Sequence, residues 1–217
     1  MSFALTIADT RDHDLAKQCV IHSLQLMREI CSVDRIYWYS DQQLDLSSIN
    51  IPLQWIKIKP IAAMPQDYNH VMLNLMPHVA TEDFNLVIQT DGYPCNALAW
   101  TEEFFNYDYI GAVWPWENPS VGNGGFSLRS RRLLDALLSL DCSLWQCHPE
   151  DATICRHERQ RLESEYHIRF APPELADRFS IEWNTSSSWL GRSFGFHGKH
   201  SGVQEKYPRL TQHTKVV

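Results

Sequence analysis

Two rhythms of apolar residues alternate along the chain, and their alternation orders the elements. "FALTIAD" (Phe3 to Asp9) alternates and is rich in β-forming residues, which predicts a strand. From Asp14 to Cys31 the spacing becomes helical. Leu15, Cys19, Leu26 and Ile30 form one row, and Ala16, Val20, Met27 and Cys31 an adjacent one. Together they make the broad buried stripe of an amphipathic helix. "RIYWYSD" (Arg35 to Asp41) and "LQWIKIKPI" (Leu53 to Ile61) predict two more strands. A second helix is expected from Asp67 to His78, ending near Pro77, and a fourth strand over "NLVIQT" (Asn85 to Thr90).

The order strand, helix, strand, strand, helix, strand predicts an α/β fold with a mixed, mainly parallel sheet flanked by helices. Ligands of such sheets sit beyond the carboxyl ends of the strands. Asp9, Asp41 and Asp91 all fall at such ends. The second half of the chain is less regular. Strands are expected over Tyr107 to Trp114, Gly124 to Ser130 and His167 to Pro172. Helices are expected around Leu133 to Leu138 and from Pro149 to Glu163. The segment from about Trp183 to Val217 reads as irregular tail. With no internal repeat and no linker, residues 1–217 are read as a single domain.

Composition narrows the partners. Of 217 residues, 44% are hydrophobic and 21% charged, enough for one sizeable core. A formal net charge of −7 argues against nucleic acid as a partner, which a broadly basic surface would attract. No apolar run reaches the roughly 20 residues that span a bilayer, so no transmembrane segment is expected. "MSFALTIADTRD" lacks the basic start and cleavage site of a signal peptide, and the expected location is cytoplasmic. The six cysteines form no CxxC pair and read as free thiols. The run Cys142, Cys147, His148, Cys155, His157 matches no common zinc spacing.

Chemistry concentrates in four places. In "NLVIQTDGYP" a buried strand surfaces at Gln89-Thr90-Asp91-Gly92. Asp-Gly is a favoured turn, but a carboxylate there also suits a divalent cation and a diphosphate. "VGNGGFSLRSR" (Val121 to Arg131) holds more glycine than a hairpin requires. The three glycines around Asn123, Gly122, Gly124 and Gly125, allow positive φ and close backbone approach. It is neither a P-loop nor a dinucleotide fingerprint. "HPEDATIC" (His148 to Cys155) opens a helix with Glu150 and Asp151. These acids complement the helix dipole, or one of them serves as a general base. "SFGFHGKH" (Ser193 to His200) carries His197, a surface histidine, a metal ligand or a phosphate contact.

A "QTD" strand end, a "GNGGFSLR" segment, a "PED" helix start and a late "FGFHG", in that order, resemble a small GT-A glycosyltransferase family of bacteria and fungi. The resemblance runs from Phe3 to about Gly198. It implies a GT-A-like, Rossmann-like fold and transfer of a sugar from a nucleotide-diphosphate donor. It places Gln89, Thr90 and Asp91 at the family's DxD-like position, with Asp91 as the direct ligand of Mn²⁺ or Mg²⁺ and Gln89 departing from the pattern. Asn123, Gly124 and Gly125 would line the donor, and Thr10 and Arg11 the nucleotide. His197 would help to hold metal and diphosphate, with Lys199 or His200 as further cations. Of Glu150 and Asp151, Asp151 would take the acceptor proton, which implies inversion.

Four tryptophans, Trp114, Trp116, Trp183 and Trp189, flank these motifs. Trp116, in an exposed loop, is assigned to the acceptor side, and Trp114, at a strand end, to the core. A UDP-sugar is the expected donor by base rate. A glycan or lipid-linked molecule, met in the cytoplasm or at the membrane surface, is the expected acceptor. The other reading kept open is a non-catalytic module that binds a nucleotide sugar or glycan on the same fold. A metal-dependent hydrolase ranks last, because it would want more clustered His and Asp ligands.

Overall fold

The structure is a computed structural model that describes residues 1–47, 49–116, 118, 121–142, 148–183 and 192–198. Cys147, Trp189, Lys199, His200 and most of the expected tail lie outside them. Strand β1 (Phe3–Ala8) is buried along its whole length and leads into α1 (His13–Met27). Asp12 caps that helix, its carboxylate accepting from the Leu15 N–H at 3.0 Å. Strands β2 (Arg35–Ser40) and β3 (Leu53–Lys57) follow. The next helix runs through α2 (Gln66–Asn69), a π turn (His70–Leu75) and α3 (Met76–Val79). Pro77 has no N–H to give to that ladder, and the widened turn lies just before it.

Strand β4 (Phe84–Ile88) pairs with β1 on the side opposite β2. β5 (Gly92–Pro94), β6 (Tyr109–Ile110) and β7 (Ser127–Ser130) come next. The main sheet has six strands in the order β3-β2-β1-β4-β7-β6. Its first four are parallel, β7 runs antiparallel to β4, and β6 runs antiparallel to β7 and so in the direction of the first four. Chain order therefore reverses between β1 and β4, which is where a doubly wound sheet leaves a crevice.

Alternate side chains cover the two faces. Leu5, Ile7, Trp38, Leu86 and Ile88 pack with Ala16, Cys19 and Val20 of α1. Ala4, Tyr37, Tyr39 and Val87 pack with Val71, Met72 and Met76 and with Leu133, Leu134 and Leu137 of α4 (Arg131–Leu138). Burial on both faces explains why these strands read as nearly continuous apolar runs.

The second half departs from expectation in several places. The Tyr107 to Trp114 strand shrinks to Tyr109–Ile110, because Gly111 and Ala112 leave the ladder and Gly122 bonds back to Ala112 at 3.1 Å. His167 to Pro172 contributes a single bridge, Phe170 with Tyr109. The Pro149 to Glu163 helix divides into α5 (Glu150–Ala152), a π turn (Thr153–His157) and α6 (Arg159–Glu165). An unforeseen helix, α7 (Pro173–Phe179), stacks Phe179 on Phe126 at 4.9 Å between ring centroids. It leads into β8 (Ser180–Ile181).

Irregularity after Trp183 is also corrected at one point, since Gly195–His197 form β9. A second sheet of three short strands, β5-β9-β8, results. No helix among the described residues is long and apolar enough to cross a membrane. Cys19, Cys95, Cys142 and Cys155 are buried free thiols, and burial raises Cys19 and Cys95 to about 12, so none is poised as a thiolate.

Candidate functional site

The crevice between β1 and β4 is a cavity of about 380 Å³. Register builds it: Ile7 pairs with Ile88 and Ala8 with Tyr39, so the two carboxyl ends surface side by side. Past β1, the Asp9 carboxylate accepts from the N–H groups of Arg11 and Asp12, each at 2.9 Å, and turns the chain toward α1. Thr10 holds the opposite wall through its hydroxyl, which accepts from Ile61 N–H at 2.8 Å. Asp9, Thr10, Arg11 and Asp12 line one side of the cavity, and Ile61, Met64 and Tyr68 another. Asp41, the remaining strand-end acid, sits farther out on β2 and takes a 2.8 Å contact from His13 Nε2.

Past β4 the chain makes a tight reverse turn. Gln89 N–H donates to Gly92 at 2.7 Å and Gly92 N–H returns to Gln89 at 3.1 Å. The turn and the display of Asp91 are thus one feature. Gln89, Thr90 and Asp91 line the cavity, and the Asp91 side chain is 51% exposed. Gly92 is demanded by packing, since a Cβ there would stand 2.6 Å from His197 Cδ2.

His197 reaches the cavity through the small sheet. Gly92 of β5 pairs directly with His197 of β9. The Nε2 atom lies 3.7 Å from Asp91 Oδ1 and 3.1 Å from Gln89 Oε1. The Gln89 amide also contacts the Tyr68 hydroxyl at 2.6 Å. On the far ring edge, Nδ1 meets Asn123 Nδ2 at 3.0 Å and Glu182 Oε1 at 3.4 Å. Burial works against a charged ring, but Glu182, Asp91 and Asp151 outweigh it and raise the His197 pKa above the ordinary imidazole value.

The glycine segment works by absence of side chains more than by positive φ. Asn123 itself takes the left-handed conformation, at φ 55. A Cβ on Gly125 would fall 2.0 Å from His197 Nε2, and one on Gly124 would fall 1.9 Å from Glu150 Oε1. Gly124 and Gly125 are therefore a thin partition between the imidazole and the PED helix start. Across it, Arg129 and Glu150 form a fully buried ion pair at 2.8 Å. Burial pushes the Glu150 carboxyl up to about 6 against the pull of Arg129. Arg129 and the Ser127 hydroxyl also hold the Gly124 carbonyl. Asp151 accepts from the N–H of Gly124 at 3.1 Å and of Ala152 at 2.7 Å.

Thr10, Arg11, Gln89, Thr90, Asp91 and His197 thus share one cavity. Asn123, Gly124, Gly125, Glu150 and Asp151 do not line that cavity: Asn123 and Gly125 abut His197, Asp151 holds the Gly124 N–H, and Glu150 is taken up by Arg129. Trp114 is buried, as read from the sequence. Trp116 is 55% exposed and forms an edge-to-face pair with Trp183 at 4.9 Å, apart from the cavity wall. Sequence reasoning missed Glu182 and Tyr68. Tyr68 lay inside a helix pattern as one more apolar residue, and Glu182 had no motif around it.

Among the described residues no three His, Cys, Asp or Glu side chains cluster as metal ligands. Asp91 with His197 nonetheless supplies a carboxylate oxygen and an imidazole nitrogen. That donor set suits a divalent cation that takes its remaining ligands from a bound diphosphate.

Solved structures of similar architecture include glycosyltransferases. A glycosyltransferase involved in glycosylation of the major capsid of PBCV-1 superposes with a TM-score of 0.55 at 11% identity, covering 98% of this chain and 100% of that one. The Streptococcus pneumoniae glycosyltransferase GlyE gives 0.52 at 12% identity, covering 98% of this chain and 52% of that one. The galactosyltransferase LgtC, in complex with donor and acceptor sugar analogs, gives 0.50 at 10% identity over 98% and 95%. No curated protein sequence matches the chain. Residues 52–197 match the profile of the family described as "Protein of unknown function (DUF5672)". The chain thus belongs to that family, and it carries the fold of the GT-A glycosyltransferases.

Proposed function

We propose that this protein is a nucleotide-sugar-dependent glycosyltransferase, with residues 1–217 acting as one domain. The observation that carries the reading is the meeting of Asp91 and His197 on a cavity at the β1/β4 switch point, with Asp151 within electrostatic reach of the same imidazole. Thr10 and Arg11 face the nucleotide, Arg11 as the cavity's fixed cation. Asp9, Asp12 and Asp91 make the mouth acidic, so a diphosphate entering it needs added positive charge. Asp91 and His197 would hold a Mn²⁺ or Mg²⁺ ion. Such an ion, when bound, neutralises the charge that develops on a diphosphate leaving group.

The remaining steps fall to side chains and backbone of this chain. The rigid Gly124-Gly125 partition lets a donor sugar lie close to the backbone. Asp151 takes the proton of the acceptor hydroxyl as its oxygen bonds to the anomeric carbon and the carbon–diphosphate bond breaks, with inversion. Each carboxylate oxygen of Asp151 accepts one backbone N–H and keeps a lone pair for that proton. Glu150, paired with Arg129, holds the partition in place. Trp116 with Trp183 offers an indole corner to an acceptor sugar ring. A UDP-sugar donor and a glycan or lipid-linked acceptor fit this arrangement.

Gln89 favours a second reading, a binding module without turnover, because an amide tied to Tyr68 replaces a carboxylate that would otherwise face the donor. A thermal-shift screen of nucleoside diphosphates and their sugars, with and without Mn²⁺, tests both. A ligand bound by the folded state at 100 times its Kd stabilises by about 2.7 kcal/mol. Stabilisation with release of nucleoside diphosphate supports the transferase. Stabilisation without release supports the module, and no stabilisation by any member contradicts both.

A further inference from the structure

Glu182 stands where the small sheet directs it at the site. Ile181 of β8 pairs with Phe196 of β9 in parallel register, so the next position along sets Glu182 beside His197. Its Oε1 lies 3.4 Å from His197 Nδ1, and its side chain is only 13% exposed. Asn123 meets the same nitrogen, while Gln89 and Asp91 face Nε2.

A neutral imidazole carries one N–H and one lone pair, and its neighbours decide which nitrogen has which. The amides of Asn123 and Gln89 can each turn to offer oxygen or nitrogen. A carboxylate can only accept. Two carboxylates compete, one at each ring edge. Asp91 is 3.7 Å away, beyond hydrogen-bond range, and half exposed to water. Glu182 is closer and largely buried, so its preference dominates. With the proton on Nδ1, Asn123 Oδ1, a buried atom with no hydrogen-bond partner among the described residues, can turn to accept from the same N–H. Gln89 then turns its amide nitrogen toward Nε2, and the Tyr68 hydroxyl donates to the Gln89 oxygen.

We propose that Glu182 is the positioning residue of this site: it fixes the proton of His197 on Nδ1 and leaves Nε2 unprotonated on the side of Asp91 and the cavity. The consequence, a nitrogen ready to ligate a cation, rests on the transferase reading. The orientation itself does not. Carboxylates that orient a ligating histidine in this way change metal affinity by about 10- to 100-fold when removed.

Long-range ¹H–¹⁵N spectra of the full chain, labelled in its imidazoles and recorded above the pH at which the ring titrates, read the tautomer directly. The His197 signals are identified by their loss in His197→Gln. The expected result is an Nδ1–H ring in the wild type, a shift toward Nε2–H in Glu182→Gln, and restoration in Glu182→Asp. A wild-type ring protonated on Nε2, or a tautomer unchanged in Glu182→Gln, overturns the proposal. Should Glu182→Gln fail to fold, the wild-type tautomer alone decides. Mn²⁺ binding in the presence of UDP, followed by electron paramagnetic resonance, should weaken about 10- to 100-fold in Glu182→Ala, and equal binding overturns the positioning role. A wild-type Nδ1–H ring in a protein that binds neither Mn²⁺ nor UDP upholds the orientation and contradicts the transferase reading.

Discussion

The two sheets of this protein join at the Gln89 to Gly92 turn, and they are held in different ways. The six-stranded sheet rests on bulk: its central strands are buried on both faces by aliphatic and aromatic side chains from several helices. The three-stranded sheet has only two or three residues per strand and rests on close fit. A single added Cβ at Gly92 within it, or at Gly125 beside it, would run into His197. The difference teaches where each kind of residue belongs. Most side chains that fill the core lie in the first region, and the second brings His197 to the strand ends where Thr10, Arg11 and Asp91 surface.

That division can be broken by mutation, and the largest effect is expected at Asp91. Asp91→Ala removes a half-exposed carboxylate and should abolish transfer, while the melting temperature reports a stability change within about 0.5 kcal/mol. Turnover like the wild type in that variant would end its role as a cation ligand. Next comes Asp151→Asn, for which kcat should fall about 10²- to 10⁴-fold with donor affinity unchanged, as steady-state kinetics would read. Equal losses of affinity and stability would assign Asp151 to holding the Gly124 loop instead.

Glu150→Ala should act on folding. It strands the fully buried Arg129 without its partner, at a cost of about 3–5 kcal/mol in urea denaturation. A loss below about 1 kcal/mol would mean that Arg129 finds another acceptor. The smallest effect sharpens the contrast from the side of the large sheet. Burial alone would raise the Glu82 carboxyl, but the Tyr37 hydroxyl and Arg35 overcome it and hold its pKa below the ordinary value. Its contribution is therefore full above the ordinary carboxylate range and is lost as pH falls through the lowered value. Glu82→Gln should cost about 1.5–3 kcal/mol near neutrality and flatten the acid side of a stability–pH curve. An unchanged acid slope would remove Glu82 from that account.

The two regions also differ in how far they could be read from sequence. β1, β2, β3, β4 and α1 are long enough for their periods to repeat, so apolar spacing located them. β5, β8 and β9 are too short for any period, and each exists because distant segments meet. Asp91 was legible because an apolar run stops at it. Glu182 was not, since nothing in Ile181-Glu182-Trp183 distinguishes a surface acid from one aimed at a histidine. Glu150 and Asp151 are neighbours of similar chemistry, and only burial against Arg129 separates their roles. Pro173 and Glu174 are signals for the start of α7, but paired prolines also end elements, so the sequence alone does not single it out. The glycines were expected to supply positive φ, whereas Asn123 takes that conformation and the glycines supply space.

The central claim is that the ends of β1 and β4, together with His197, form one diphosphate-sized cleft. The most direct test is a map of backbone amide shifts on titrating UDP with Mn²⁺ into the labelled full chain. The expected result is that Thr10, Arg11, Thr90, Asp91, Gly124 and Gly125 move together, with one shared dissociation constant. Saturable shifts confined to the separate groove of Lys57, Lys59 and His70, or no shifts at any concentration, would contradict it.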